Sequence, residues 1–121
     1  MLAALALSVS DCVATADDSQ RMRCAMADLA TAEDALNFAW VRAIDTARSN
    51  DQNPRAEKWS PSRESRARAA HVAWLAYRDA QCTAEYLAPV ARSLEDVNRL
   101  WCRTRLTKER TAELNLHFIV D

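Results

Sequence analysis

The stretch His71–Cys82, "HVAWLAYRDAQC", decides how the chain reads. Its apolar residues recur at steps of three and four, the period of one helix face. It also holds two large aromatics, Trp74 and Tyr77, an adjacent Arg78–Asp79 pair and a closing Cys82. Three readings compete: a catalytic constellation, a binding surface, or the stapled core of a small helical domain. An aromatic stripe at helical spacing is more often packing than a cage. Trp74 and Tyr77 are therefore expected to build the core with Leu36 and Trp40. Adjacent helical residues point about 100° apart, so Arg78 and Asp79 are not expected to bond each other. Each is expected to reach another helix, Arg78 to Glu33 or Glu113 and Asp79 to Arg110.

Working outward, the helix that holds this stretch is predicted to open with Ser60 as N-cap and Pro61 at its first position. It should run to about Leu87, with Pro89 marking the exit. Its first part, "SRESRARAA", reads as solvated; Ala70, Ala73, Trp74, Tyr77 and Gln81 share the inward side. Upstream, a long helix is predicted from about Asp18 to Asn50. Leu29, Ala32, Leu36, Trp40, Ala43, Ile44 and Ala47 form its apolar face, and Asp17, Asp18 and Ser19 are cap candidates. "SNDQNP" ends it, because Pro54 disfavours helix at Asn53. "RAEKWSPS" is then a linker whose Trp59 is expected to plug the edge of the core. Downstream, Ser93-x-x-Asp96 resembles a capping box with Asp in place of Glu. The third helix, with Val97, Leu100, Trp101 and Leu106, should run to about His117, and the apolar tail "FIVD" docks or frays. The expected fold is all-α: a small antiparallel bundle of three main helices stapled by two disulfides.

Length and composition fit one domain. The chain has 121 residues, half of them hydrophobic, and a net charge of -1 from 16 basic and 17 acidic residues. That balance speaks against a nucleic-acid partner, which normally meets a basic excess. There is no glycine. Phosphate-cradling loops, dinucleotide fingerprints and nucleophile elbows need it, so those chemistries are excluded as written in their motifs. Glu33 and Asp34 would point in different directions and do not form the converging pair that acid–base work needs. His71 and His117 are far apart and lie in no H-E-x-x-H motif, so neither a metal nor another cofactor is expected.

The four cysteines, Cys12, Cys24, Cys82 and Cys102, lack the short C-x2-4-C spacing of structural zinc. An even count in a small domain favours disulfides and an oxidising compartment. Three pairings are possible, and the nearest-neighbour set, Cys12–Cys24 and Cys82–Cys102, is expected. A redox role would want C-x-x-C spacing or an activated thiolate, which is not offered. The opening "MLAALALSVS" reads as the tail of a signal peptide, without a charged leader and too short to span a membrane. Residues 1–8 are taken as its remnant and 9–121 as one helical domain, periplasmic or secreted.

"AWLAYRDAQC", followed by Cys102-x3-Leu106-Thr107-x2-Arg110-x2-Glu113-Leu114, resembles the LprI-type lysozyme-inhibitor family of small exported helical proteins. The resemblance extends to Glu33-x2-Leu36-Asn37-x2-Trp40, where Glu33 and Trp40 stand for an Asp and a Tyr, and to the first cysteine pair. It covers about Asp11 to Leu114. The chain departs from the family in lacking a Gly-Gly-Ser stretch between the late cysteines. The resemblance implies export, disulfides and a protein partner, c-type lysozyme, bound without chemistry by this chain. Glu33, Asn37, Trp40, Trp74, Tyr77, Arg78, Asp79 and Arg110 are read as a structural motif, with Glu33 and Asn37 forming a hydrogen-bond pair.

Partner contacts are expected in loops, because loops reach into clefts. Arg55, Lys58, Trp59 and Ser60 in the first connection, and Arg92 and Ser93 in the second, are the candidates. Their cations suit a lysozyme cleft that holds two catalytic carboxylates. The acidic Asp17, Asp18, Glu95 and Asp96 would steer the basic outside of such an enzyme. Arg63, Arg66 and Arg68, interspersed with Glu64, read as a solvated face, with a partner contact as the alternative. The alternative is a periplasmic structural or adaptor protein that binds no lysozyme.

Overall fold

A computed structural model describes residues 17–85 and 90–118, the side chain of Ser93 apart. Three helices make up the fold: α1 (Asp18–Gln52), α2 (Arg63–Ala84) and α3 (Arg92–Glu113), which ends in a π-helical turn, Leu114–Phe118. Cys12 and the expected leader remnant lie outside the described residues, as do Leu87, Pro89 and the last three residues of the tail.

The α1 boundaries follow local chemistry. The Asp17 carboxylate accepts the amides of Ser19 at 2.7 Å and Gln20 at 3.2 Å, which satisfies two orphan donors of the first turn. At the far end Asn53 leaves the helix in an extended conformation before Pro54. Along α1, Ala25, Leu29, Ala32, Leu36, Ala39 and Ala43 are buried at alternating steps of four and three. That is a 3.5-residue seam of the coiled-coil kind, with alanine at four of these six positions, which lets a partner helix approach closely. The partner is chiefly α3, the helix with which α1 packs most extensively. It offers Val97, Thr104, Thr107 and the fully buried Leu114 at similar spacing. The hydroxyls of Thr104 and Thr111 donate to the carbonyls one turn back, Leu100 and Thr107, so these side chains carry no bare donor inward.

α2 starts two residues later than expected. The Ser60–Pro61 peptide is cis, and the cap is Ser62, whose hydroxyl accepts the Ser65 amide at 3.1 Å. Asp51, near the end of α1, accepts the amides of Arg63 at 2.9 Å and Glu64 at 3.0 Å. The first three orphan donors of α2 are thus met, two of them from another helix. Ser93 lies inside α3 and not at its N-cap. α3 begins at Arg92 after Ala91, which gives no side-chain cap, and Asp96 turns instead to Arg99 at 3.2 Å.

The inward face of α2 also differs from expectation. Ala67, Arg78 and Cys82 are buried, His71 and Trp74 are half-buried, and Tyr77 is 53% exposed. Ala70 and Ala73 face solvent as well. Arg78 points in because it finds acceptors inside the bundle, and Tyr77 beside it is turned out. Cys82 is bonded to Cys102, tying the end of α2 to α3. Cys24 is also disulfide-bonded. Trp74 packs against both core clusters, one around Leu36, Ala39, Ala43 and Leu114, the other around Cys82, Cys102 and Leu106.

Candidate protein-binding site

Two features draw on functional side chains: a polar–aromatic centre between the helices and a corner between α1 and α2. In the centre, the buried Arg78 guanidinium donates to Glu33 at 3.3 Å, Asp79 at 3.1 Å and the Thr107 hydroxyl at 3.3 Å. The Glu33 contact matches expectation. The Asp79 contact does not: the long Arg side chain folds its Nε back onto its neighbour although the two Cβ atoms diverge. Asp79 also lies 3.5 Å from Arg103, in place of the expected Arg110. Arg110 pairs with Glu113 at 3.4 Å, one turn along its own helix. Its guanidinium lies 5.2 Å from the Phe118 ring and 5.9 Å from Trp74, and Arg78 lies 5.5 Å from the same Trp74 ring. Such cation–π contacts carry part of the stabilisation of charges held in a core.

Beside this centre the His71 ring stacks on Trp40 at 4.2 Å and more distantly on Trp74 at 5.9 Å. Burial holds its imidazole below the usual histidine range, and the Arg110 and Arg78 charges add to the effect. Glu33, Asp34, Asn37 and Arg78 join His71 in a groove of about 390 Å³ between α1 and α2. Glu33 is turned to Arg78, and Asn37 is exposed on the same groove. Among the described residues no group of three His, Cys, Asp or Glu side chains is placed to hold a metal ion. The centre is an ionic core that is only partly satisfied: Nε and Nη2 of Arg110 and Nδ1 of His71 are buried without a hydrogen-bond partner among the described residues. Glu33, Asp79 and Glu113 are each paired with a guanidinium group.

The corner between α1 and α2 has different chemistry. Trp59 remains 41% exposed, so it does not plug the core as expected. Its ring lies 4.2 Å from the Arg63 guanidinium and 4.8 Å from that of Arg66. Those guanidinium groups are themselves fixed. Arg63 donates to the Glu57 carbonyl at 2.8 Å and pairs with Asp51 at 3.4 Å. Arg66 donates to the carbonyls of Pro61 at 3.0 Å and Ser60 at 3.4 Å. An exposed Trp is therefore presented in one orientation by a braced loop. Glu64, which joins Arg48 and Arg68, locks the same corner; these two guanidinium groups hold its carboxyl down at about 2. The amides of Glu64 and Arg63 likewise lower Asp51, assisted by the Arg63 side chain.

Arg48, Arg63 and Arg68 thus all have carboxylate partners. Arg55, Lys58 and Arg66 have none among the described residues, and all three are exposed. The surplus cations flank the exposed Trp. The sequence reading included Arg55, Lys58, Trp59 and Ser60 but missed Arg66. The available signal was its spacing of five from Pro61, which lets its side chain return to the loop.

The other candidate loop lies apart. Arg92 is exposed at the start of α3, beyond the opposite end of α2. Twenty-two residues of α2 separate the two loops, a span of about 33 Å at 1.5 Å per residue. The two sets of candidates therefore do not converge on one cleft. Asp17 and Asp18 begin α1, and Glu95 and Asp96 stand in the first turns of α3, where Asp18 pairs with Arg21 and both Glu95 and Asp96 pair with Arg99.

The fold and its surface define a class: a disulfide-stapled bundle of three helices with an ionic core and an exposed cation–aromatic corner. The family profile described as "Lysozyme inhibitor LprI" matches residues 12–114, and the chain belongs to that family. No curated protein and no solved structure gave a match. The matched span holds the whole bundle, from α1 to the start of the π-helical turn. No helix among the described residues is long and apolar enough to cross a membrane.

Proposed function

We propose that this is an exported envelope protein that binds lysozyme and inhibits it by occluding the active-site cleft, without chemistry of its own. Family membership supports the partner class. The observation that carries the reading to a surface is the α1–α2 corner: Trp59 exposed and braced, with Arg55, Lys58 and Arg66 lacking carboxylate partners. Trp and Arg are the residues most often found as energetic anchors of interfaces. A protruding cationic corner complements a cleft that holds two catalytic carboxylates. The disulfides fit an oxidising compartment, and residues 1–8 are read as the remnant of an export signal.

Arg92 and Ser93 stand outside this contact, because they lie at the other end of α2. The test is co-elution of the oxidised protein with a c-type lysozyme in size-exclusion chromatography at physiological salt. A one-to-one complex that Trp59→Ala removes supports the reading. Independent elution at micromolar concentrations of both proteins contradicts it, and the structural or adaptor role then stands in its place.

A further inference from the structure

We infer that the groove behind Trp59 anchors a partner segment that carries a carboxylate beside an apolar side chain. This rests on the proposal that the corner meets a protein partner, and it adds the groove and Arg66 to the contact.

A groove of about 280 Å³ opens between the end of α1, the start of α2 and the π-helical turn. Its lining is mixed: Ala43, Ala47, Ala67 and Phe118 give an apolar strip beside Thr46, Asn50, Arg63 and His117, and Trp59 and Arg66 complete it. The small alanines leave the space, and the two aromatic rings bound it. At the mouth, Arg66 is a cation of fixed orientation: Pro61 and Ser60 carbonyls hold its Nε and Nη2, and the Trp59 ring lies against its face. Among the described residues its Nη1 has no partner and no carboxylate neutralises the group. The nearby acids do not change this. Asp51 is taken by Arg63 and by two amides of α2. Glu57 is the one acidic side chain of the loop without an ion pair, against the three unpaired cations Arg55, Lys58 and Arg66. The local charge is therefore positive over a slot with an apolar strip. A fixed guanidinium suits a carboxylate better than a flexible ammonium would, because its planar fork matches the two oxygens. The slot itself excludes water from an apolar side chain. A segment with both features side by side uses both parts of the site.

The test has two arms on the oxidised full chain. In the first, the indole N–H signal of Trp59, assigned with Trp59→Phe, is followed by NMR during titration with N-acetyl-leucine and with its uncharged amide. A saturable shift with the carboxylate alone, lost in Arg66→Gln, is expected. In the second, lysozyme affinity is measured for the wild type and Arg66→Gln, with circular dichroism verifying the helices of both. A loss of at least tenfold is expected. An unmoved Trp59 signal overturns the inference, as does an affinity within twofold of wild type in a folded Arg66→Gln protein. A probe shift with unchanged affinity also overturns it, since the groove would then be a small-carboxylate site and no partner anchor. If the wild type binds no lysozyme, the proposed function fails, while the first arm still decides whether the groove takes such a group.

Discussion

The two ends of α2 are fastened in different ways. At its C-terminal end Cys82 is bonded to Cys102, and Glu85 accepts two hydrogen bonds from Arg105, at 2.9 and 2.7 Å. At its N-terminal end there is no covalent tie. Asp51 and Ser62 cap the helix, Glu64 joins two arginines, and Trp59 lies against two more. At the stapled end the Glu85 carboxylate is taken by Arg105, and Arg92 stays exposed. The other end is built from polar bonds that leave three cations and a tryptophan over. The end without a staple presents a braced, cation-rich surface.

Breaking the staple has the largest expected effect. Cys82→Ala with Cys102→Ala opens a loop with a sequence separation of 20, and the chain-entropy model assigns such a loop about 3 kcal/mol. Urea unfolding should show that loss as a lower midpoint with little change in slope; an unchanged midpoint would mean that packing alone holds this end. Arg78→Met comes next. It removes the bond to Thr107 and the contact with Trp74, but Glu33 and Asp79 are about half exposed and water can solvate them. The expected cost is about 1–3 kcal/mol, below that of stranding a fully buried charge.

At the corner, Ser62→Ala removes the cap on the Ser65 amide and should cost about 1 kcal/mol. Faster amide hydrogen exchange is expected in the first turn of α2 and not in its last. Exchange that rises equally at both ends would show that the ends are not independent.

Acid sharpens the same contrast. Glu64 and Asp51 are held below their ordinary carboxylate values by their partners at the corner. A depressed carboxyl stabilises the fold above its unfolded value and loses that contribution as pH falls through the folded one. The corner should therefore loosen between the ordinary carboxylate range and about pH 2, and Glu64→Gln should flatten that part of the stability curve. His71 acts at higher pH with the same sign. Its folded value is lowered, so the fold favours the neutral ring and begins to lose stability as pH falls below the ordinary histidine value. His71→Phe should remove this smallest effect. An acid limb unchanged in both variants would place the sensitivity elsewhere.

Much of this fold was legible in the chain. The seam of α1, its N-cap at Asp17 and its end before Pro54 are local signals, and all three appear in the structure. The pairing of Cys82 with Cys102 follows from a short loop between helices that must touch. What was not legible depends on contacts distant in sequence. Asp51 caps a helix twelve residues away, so the start of α2 could not be placed from its own sequence. Tyr77 was assigned to the core because aromatics usually go there, yet Arg78 takes the inward position with acceptors on two other helices. Arg66 looked like one of several solvated arginines. Only the fold shows that Arg48, Arg63 and Arg68 have carboxylates while Arg66 has none among the described residues.

The most direct test is the lysis of bacterial cell walls by a c-type lysozyme, followed by turbidity, with the oxidised protein titrated in. Trp59→Ala and Arg92→Ala would be measured beside the wild type. The expected result is dose-dependent protection by the wild type and by Arg92→Ala, with protection lost in Trp59→Ala. No protection by the wild type at large molar excess, or loss in Arg92→Ala with Trp59→Ala intact, would contradict a lysozyme-binding site at the α1–α2 corner.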